Sequence, residues 1–96
     1  MNNNNNIPQI DYNDYDFVQI PGTGRYRLAG KAFSKNGYLN LFLDGSDGGK
    51  RRGVVYPNTN FLGMQEVSVG SFLNVTFVAS GTGRVYIKRI DVERTV

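Results

Sequence analysis

Apolar and polar positions alternate with a period of two along most of the chain, and no stretch carries a helical stripe of useful length. Leu39, Leu41 and Leu43 share one face of a strand over Tyr38 to Asp44. Tyr26, Leu28 and Ala32, with Gly30 between them, share a face over Arg25 to Phe33. Leu73, Val75 and Phe77 do so over Phe72 to Ala79, with Val67 to Val69 as an earlier start that passes Gly70. Arg51 to Tyr56 is a further strand, stopped by Pro57. Over Arg84 to Glu93, Val85 and Ile87 fall on one face but Ile90 and Val92 on the other. That change of phase predicts a bulge near Lys88 and Arg89.

Turn residues punctuate these strands. Ser34-Lys35-Asn36-Gly37 joins the first two, and Asn-Gly at its tip is a strong hairpin signal. Gly45 to Lys50 is a polar loop, Asn58 to Gly63 an irregular connection, and Ser80-Gly81-Thr82-Gly83 a turn. Gly-Thr-Gly-Arg occurs at Gly22 to Arg25 and again at Gly81 to Arg84, and both copies read as tight turns. The expectation is an all-β protein, a small five-stranded barrel over residues 21–96, because closure removes exposed edges. Residues 1–20 form a tail, disordered at Asn2 to Asn6, with Tyr15 to Ile20 as an alternative extra edge strand.

Composition narrows the chemistry. The chain has 96 residues and 40% hydrophobic content, enough for one core. Neither Cys nor His is present, which excludes Ser-His and Cys-His nucleophile systems. Glu66 and Glu93 are the two glutamates, and nothing in the sequence puts them together as an acid–base pair. Asp44 and Asp47 do not fit the spacing of a calcium loop. No enzyme activity, metal or cofactor is expected. The start of the chain lacks a basic and apolar signal pattern, and no apolar run approaches the roughly 18 to 20 residues of a membrane span. A cytoplasmic protein without membrane contact is expected.

The net charge of +3 hides a division. Residues 1–24 carry three acids and no cation, giving −3, while the remainder carries eleven cations against five acids, giving +6. A strongly basic module behind an acidic leader changes the expected partner from a neutral ligand to a polyanion.

The order of features resembles OB-fold single-stranded nucleic-acid-binding proteins of the small phage or plasmid type, over residues 24–94. The resemblance rests on Tyr26-Arg-Leu-Ala-Gly30-Lys-Ala-Phe33, a short basic turn, and Tyr38 to Asp44-Gly. Val69-Gly70-Ser-Phe-Leu-Asn-Val75 and the closing Gly83 to Val92 strand complete it. It departs where Pro57 to Ser71 shows no amphipathic helix. The resemblance implies an OB-like barrel and, for ligand, single-stranded DNA over RNA, in a replication accessory.

The solvent face of the first hairpin then becomes the candidate site. Arg25, Arg27, Lys31 and Phe33 alternate with the core face on the first strand, and Tyr38, Asn40 and Phe42 on the second. Lys50, Arg51, Arg52 and Tyr56 extend this stripe, and Arg84, Lys88 and Arg89 widen it. Bases stack on exposed rings while cations follow phosphates. For Phe42 the alternative is a second small core. The segment Asp11 to Phe17 alternates acid and aromatic, so it suits either a competitor for the basic face or a docking peptide for a protein partner. A homo-oligomer is expected, since one such domain offers a small site. The rival readings are a β-sandwich carbohydrate-binding domain and a protein-interaction module, for example a phage inhibitor of a host enzyme.

Overall fold

The computed structural model describes residues 10–56 and 67–93. The expectations for Asn2 to Asn6, Pro57, Asn58 to Gly63 and Glu66 lie outside the described residues. The chain is all-β. After a 3-10 turn at Tyr12–Asp14 come β1 (Asp16–Phe17), β2 (Gly22–Phe33), β3 (Leu39–Gly45), β4 (Lys50–Val55), β5 (Phe72–Ala79) and β6 (Val85–Val92). They form one sheet in the order β1-β4-β3-β2-β5-β6, antiparallel except for the parallel β1–β4 pair. Among the described residues no helix is long and apolar enough to cross a membrane.

One face of the sheet holds the core: Leu28, Leu39, Leu41, Leu43, Val55, Leu73, Val75, Phe77 and Ile87. The alternation at Leu39, Leu41 and Leu43 and at Leu73, Val75 and Phe77 therefore points inward as the pattern requires. The expected closed barrel does not form, because no ladder among the described residues joins β6 to β4 or β1. Two features account for this. β1 takes the start of β4's outer edge, pairing Asp16 with Arg51 and Phe17 with Arg52. Further along, β6 meets β4 through a side chain. A Cβ on Gly53 would lie 2.6 Å from Ile87 Cδ1 and 2.8 Å from Phe77 Cε1, so these groups rest directly on β4's backbone.

Two bulges set which side chains face where. On β6 Lys88 is the extra residue, since Ile87 pairs with Phe77 and Arg89 with the adjacent Thr76. The predicted change of phase at Lys88 is thus present. On β2 a second bulge was not legible: Leu28 pairs with Leu43 but Gly30 with Phe42, leaving Ala29 unopposed. From there the faces exchange. Gly30 and Ala32, expected inside, lie on the outer face, while Lys31 and Phe33, expected outside, lie opposite Leu41 and Leu39.

Three hairpin turns share one construction. In each, the fourth residue is a glycine with positive φ: Gly37 (83°), Gly48 (83°) and Gly83 (87°). Each of these glycines donates its amide to the carbonyl three residues back, at Ser34, Gly45 and Ser80. Each turn is thus closed by a residue with positive φ, which favours glycine. The first Gly-Thr-Gly is different, lying inside β2 opposite Val75 to Phe77. Val67 to Val69 is not strand; the chain turns at Gly70, with φ of 101°, before β5 begins.

Candidate functional site

The chain ahead of β2 crosses the outer face of β2, β3 and β4. Asp11 caps the 3-10 turn, its carboxylate accepting from the Asn13 amide at 3.0 Å. The turn lays Tyr12 flat on Phe42, with ring centroids 4.0 Å apart and planes 3° from parallel. Tyr15 meets Phe42 edge-on at 5.6 Å and donates its hydroxyl to Asp44 Oδ1 at 2.8 Å. Burial, then the Asp44 hydrogen bond, push the Tyr15 phenol up to about 12. Gly30 makes room for this crossing, because a Cβ there would lie 2.9 Å from Ile10 Cδ1. Phe42 is left 1% exposed. The ring expected to receive a base is therefore the centre of a second small core.

Carboxylates neutralise most of the predicted basic stripe. Arg25 pairs with Glu93 at 2.6 Å, Arg27 with Asp44 at 3.6 Å, Lys50 with Asp14 at 3.9 Å and Arg51 with Asp47 at 3.0 Å. Arg51 holds the Asp47 carboxyl well below the usual carboxylate range, and Arg25 depresses Glu93. Glu93 is thus engaged with a cation. Arg51 lies opposite Leu43, its guanidinium 5.9 Å from the Tyr26 ring, and does not join the outer face. Lys31 donates to the Val67 carbonyl at 2.7 Å. Phe33 is exposed at the end of β2, away from the other predicted rings' face.

Five of the residues named from the sequence do converge: Tyr38, Asn40, Arg52, Tyr56 and Arg84 line a cleft of about 440 Å³. It sits at the seam where the sheet fails to close. β3 supplies Asn40, with Tyr38 just ahead of that strand; β4 supplies Arg52 and Val54, with Tyr56 just beyond; Phe17 and Val18 supply one wall. Two of the matched turns flank it. The Ser34 hydroxyl accepts from the Tyr38 amide at 3.1 Å and the Ser80 hydroxyl from the Arg84 amide at 3.2 Å, so each turn fixes the residue that faces the cleft. Tyr38 and Tyr56 stand perpendicular with centroids 4.9 Å apart, and Tyr86 lies 5.1 Å beyond Tyr56.

Arg52 is held by Asn40, whose Oδ1 accepts from Nε at 3.3 Å, and its guanidinium carbon lies 4.5 Å from the Phe17 centroid. Neither Arg52 nor Arg84 makes an ion pair among the described residues. Planar rings, two unneutralised guanidiniums and the amides of Asn36 and Asn40 suit a ligand that is flat, polar at its rim and anionic nearby. Phe17 and Val18 were missed by sequence reasoning as residues of the site. Phe17 carried a signal as the aromatic end of the acidic segment, whereas its approach to β4 depends on tertiary pairing. No family model, curated protein or solved structure matches this chain.

Proposed function

We propose that the protein is a non-catalytic binder of single-stranded nucleic acid, with DNA favoured, and that the seam cleft is its site. The observation that carries this reading is the cleft's pairing of the Tyr38 and Tyr56 rings with Arg52 and Arg84, guanidiniums that no carboxylate among the described residues neutralises. Stacking of a base on such a ring contributes about 1–3 kcal/mol. An OB-like reading of the fold has support in the strand order β4-β3-β2-β5-β6. It is also supported by the cleft's place between the β2–β3 and β5–β6 turns, the region where OB-folds bind oligonucleotides and oligosaccharides.

On this reading one cleft covers few nucleotides, so the chain acts as a homo-oligomer on a longer strand, as a replication accessory would. A protein partner at Asp11–Phe17 would meet Asp11, Asp16 and Phe17, which stay exposed while Tyr15 turns inward. Fluorescence anisotropy with a labelled single-stranded oligonucleotide at two salt concentrations tests the reading. Contact with Z phosphates gives a log–log slope near −0.7Z. Binding to oligosaccharides with no salt dependence, and none to oligonucleotides, would replace it with the carbohydrate reading.

A further inference from the structure

The backbone of β4 holds a feature that side chains do not reveal. The Val18 amide donates to the Arg52 carbonyl at 3.1 Å, so Arg52 turns its backbone groups away from β3 toward the outer edge. In an antiparallel ladder this orientation recurs at every second residue. Val54 therefore also presents its N–H and C=O outward. The β1–β4 ladder ends at the Phe17–Arg52 pair, and β4 itself ends at Val55. Among the described residues, Val54's two backbone groups are left without a partner, at the wall of the cleft.

Within β4, among the described residues, the open edge is thus one outward-facing residue long. That is too short for an added peptide strand, which draws its affinity from a run of ladder bonds. It suits one planar group that carries a donor beside an acceptor. An unpaired nucleobase does so on its Watson–Crick edge. The surrounding rings of Tyr38 and Tyr56 supply the stacking partners, and Arg52 and Arg84 the counter-charge.

We propose that the Val54 backbone reads the Watson–Crick edge of one nucleobase held in the cleft. Its N–H donates to the base acceptor, and its carbonyl accepts from the base donor. This deepens the single-strand reading above and rests on it. Every common base offers a donor next to an acceptor on that edge, so the contact selects an unpaired base without selecting a sequence. In a duplex the same edge is already occupied. Strand selectivity then arises from main-chain groups, of which only substitution by proline removes the donor.

The test uses oligothymidylate and the same oligomer built from N3-methylthymine, where a methyl replaces the hydrogen donated to Val54. The wild-type protein is expected to bind the methylated strand about 3- to 10-fold more weakly, the scale of one neutral hydrogen bond. Val54→Pro removes the donor at a position where the amide is not spent on β3, which an edge strand tolerates. It is expected to show a similar loss on the unmodified strand and, because its carbonyl still accepts from the N3 hydrogen, a further loss on methylation, while Val54→Ala behaves as the parent. Equal affinity of the wild-type protein for the two strands overturns the inference. So does equal affinity for the unmodified strand and its duplex with oligoadenylate. If Val54→Pro does not fold, the comparison of the two strands decides alone. Weaker binding by Tyr38→Ala, with no effect of N3 methylation, would sink the Val54 contact but keep the cleft. Absence of binding to either strand would sink the single-strand reading itself.

Discussion

Two aromatic surfaces lie side by side on β3 and β4, and Arg52 touches both. Its guanidinium carbon is 4.5 Å from the Phe17 ring, at the cleft, and 5.2 Å from Phe42, under the N-terminal crossing. Around Phe42, Tyr12 and Tyr15 cover the ring, Lys50 pairs with Asp14 and Arg27 with Asp44. Around Tyr38 and Tyr56 the rings line open space, and Arg84 finds no carboxylate among the described residues. The two surfaces have similar composition. What separates them is the path of residues 10–18, which bring rings and acids to one and stop at the border of the other.

The sharpest way to break this comparison is to remove one ring from each surface. Phe42→Ala is expected to cost about 3–5 kcal/mol of stability, as for other buried aromatics, read by denaturant unfolding. Oligonucleotide affinity of the protein that remains folded should barely change. Tyr38→Ala is expected to do the reverse, losing about 1–3 kcal/mol of single-strand affinity with a smaller change in unfolding. If Phe42→Ala weakens binding more than Tyr38→Ala at matched folded fraction, the buried surface opens to ligand and the division between the two fails.

The contrast also shows which physics a sequence exposes. The core face was legible at Leu39, Leu41 and Leu43 because regular alternation is local. The bulge at Lys88 was legible because the phase break at Ile87 and Ile90 is visible in the residues themselves. The bulge at Ala29 was hidden by the small neighbours Gly30 and Ala32, which fit either face, and it misplaced Lys31 and Phe33. Closure of the barrel failed as an expectation because nothing local to Gly53 shows what packs against it. Its role, admitting Ile87 and Phe77 to the backbone, depends on side chains of two strands, each more than twenty residues away. At the site, charge was legible but pairing was not: Arg51 and Asp47 sit four residues apart and still entered the reading as a free cation and a loop acid.

Salt dependence sharpens the comparison for the cations. Arg84→Ala is expected to flatten the log–log salt slope by about 0.7 if it contacts one phosphate. Arg51→Ala, which frees Asp47 and removes an ion pair outside the seam cleft, is expected to leave the slope within error. Anisotropy titrations of both variants at several salt concentrations measure this. A flattened slope for Arg51→Ala with none for Arg84→Ala would return the phosphate path to the Gly45 to Lys50 loop.

The smallest expected effect concerns the pin of the covered surface, and it appears only in alkali. Tyr15 keeps its proton up to about 12 in the fold, raised from 10.0 by burial first and then by its bond to Asp44. Between those two values the unfolded chain has lost that proton while the folded chain retains it, so the folded state binds more protons. Stability contributed by the neutral phenol is therefore complete below pH 10 and is lost as pH rises through about 12. Tyr15→Phe abolishes this component and leaves Asp44 without its donor, at a cost of about 1–3 kcal/mol for a buried acceptor and less here, since Asp44 is half-buried. Unfolding curves at a series of alkaline pH values should decline less steeply for the variant than for the parent. Parallel declines would mean that the Tyr15 hydroxyl does not anchor the crossing, and that stacking on Phe42 alone holds residues 10–18 over the covered face.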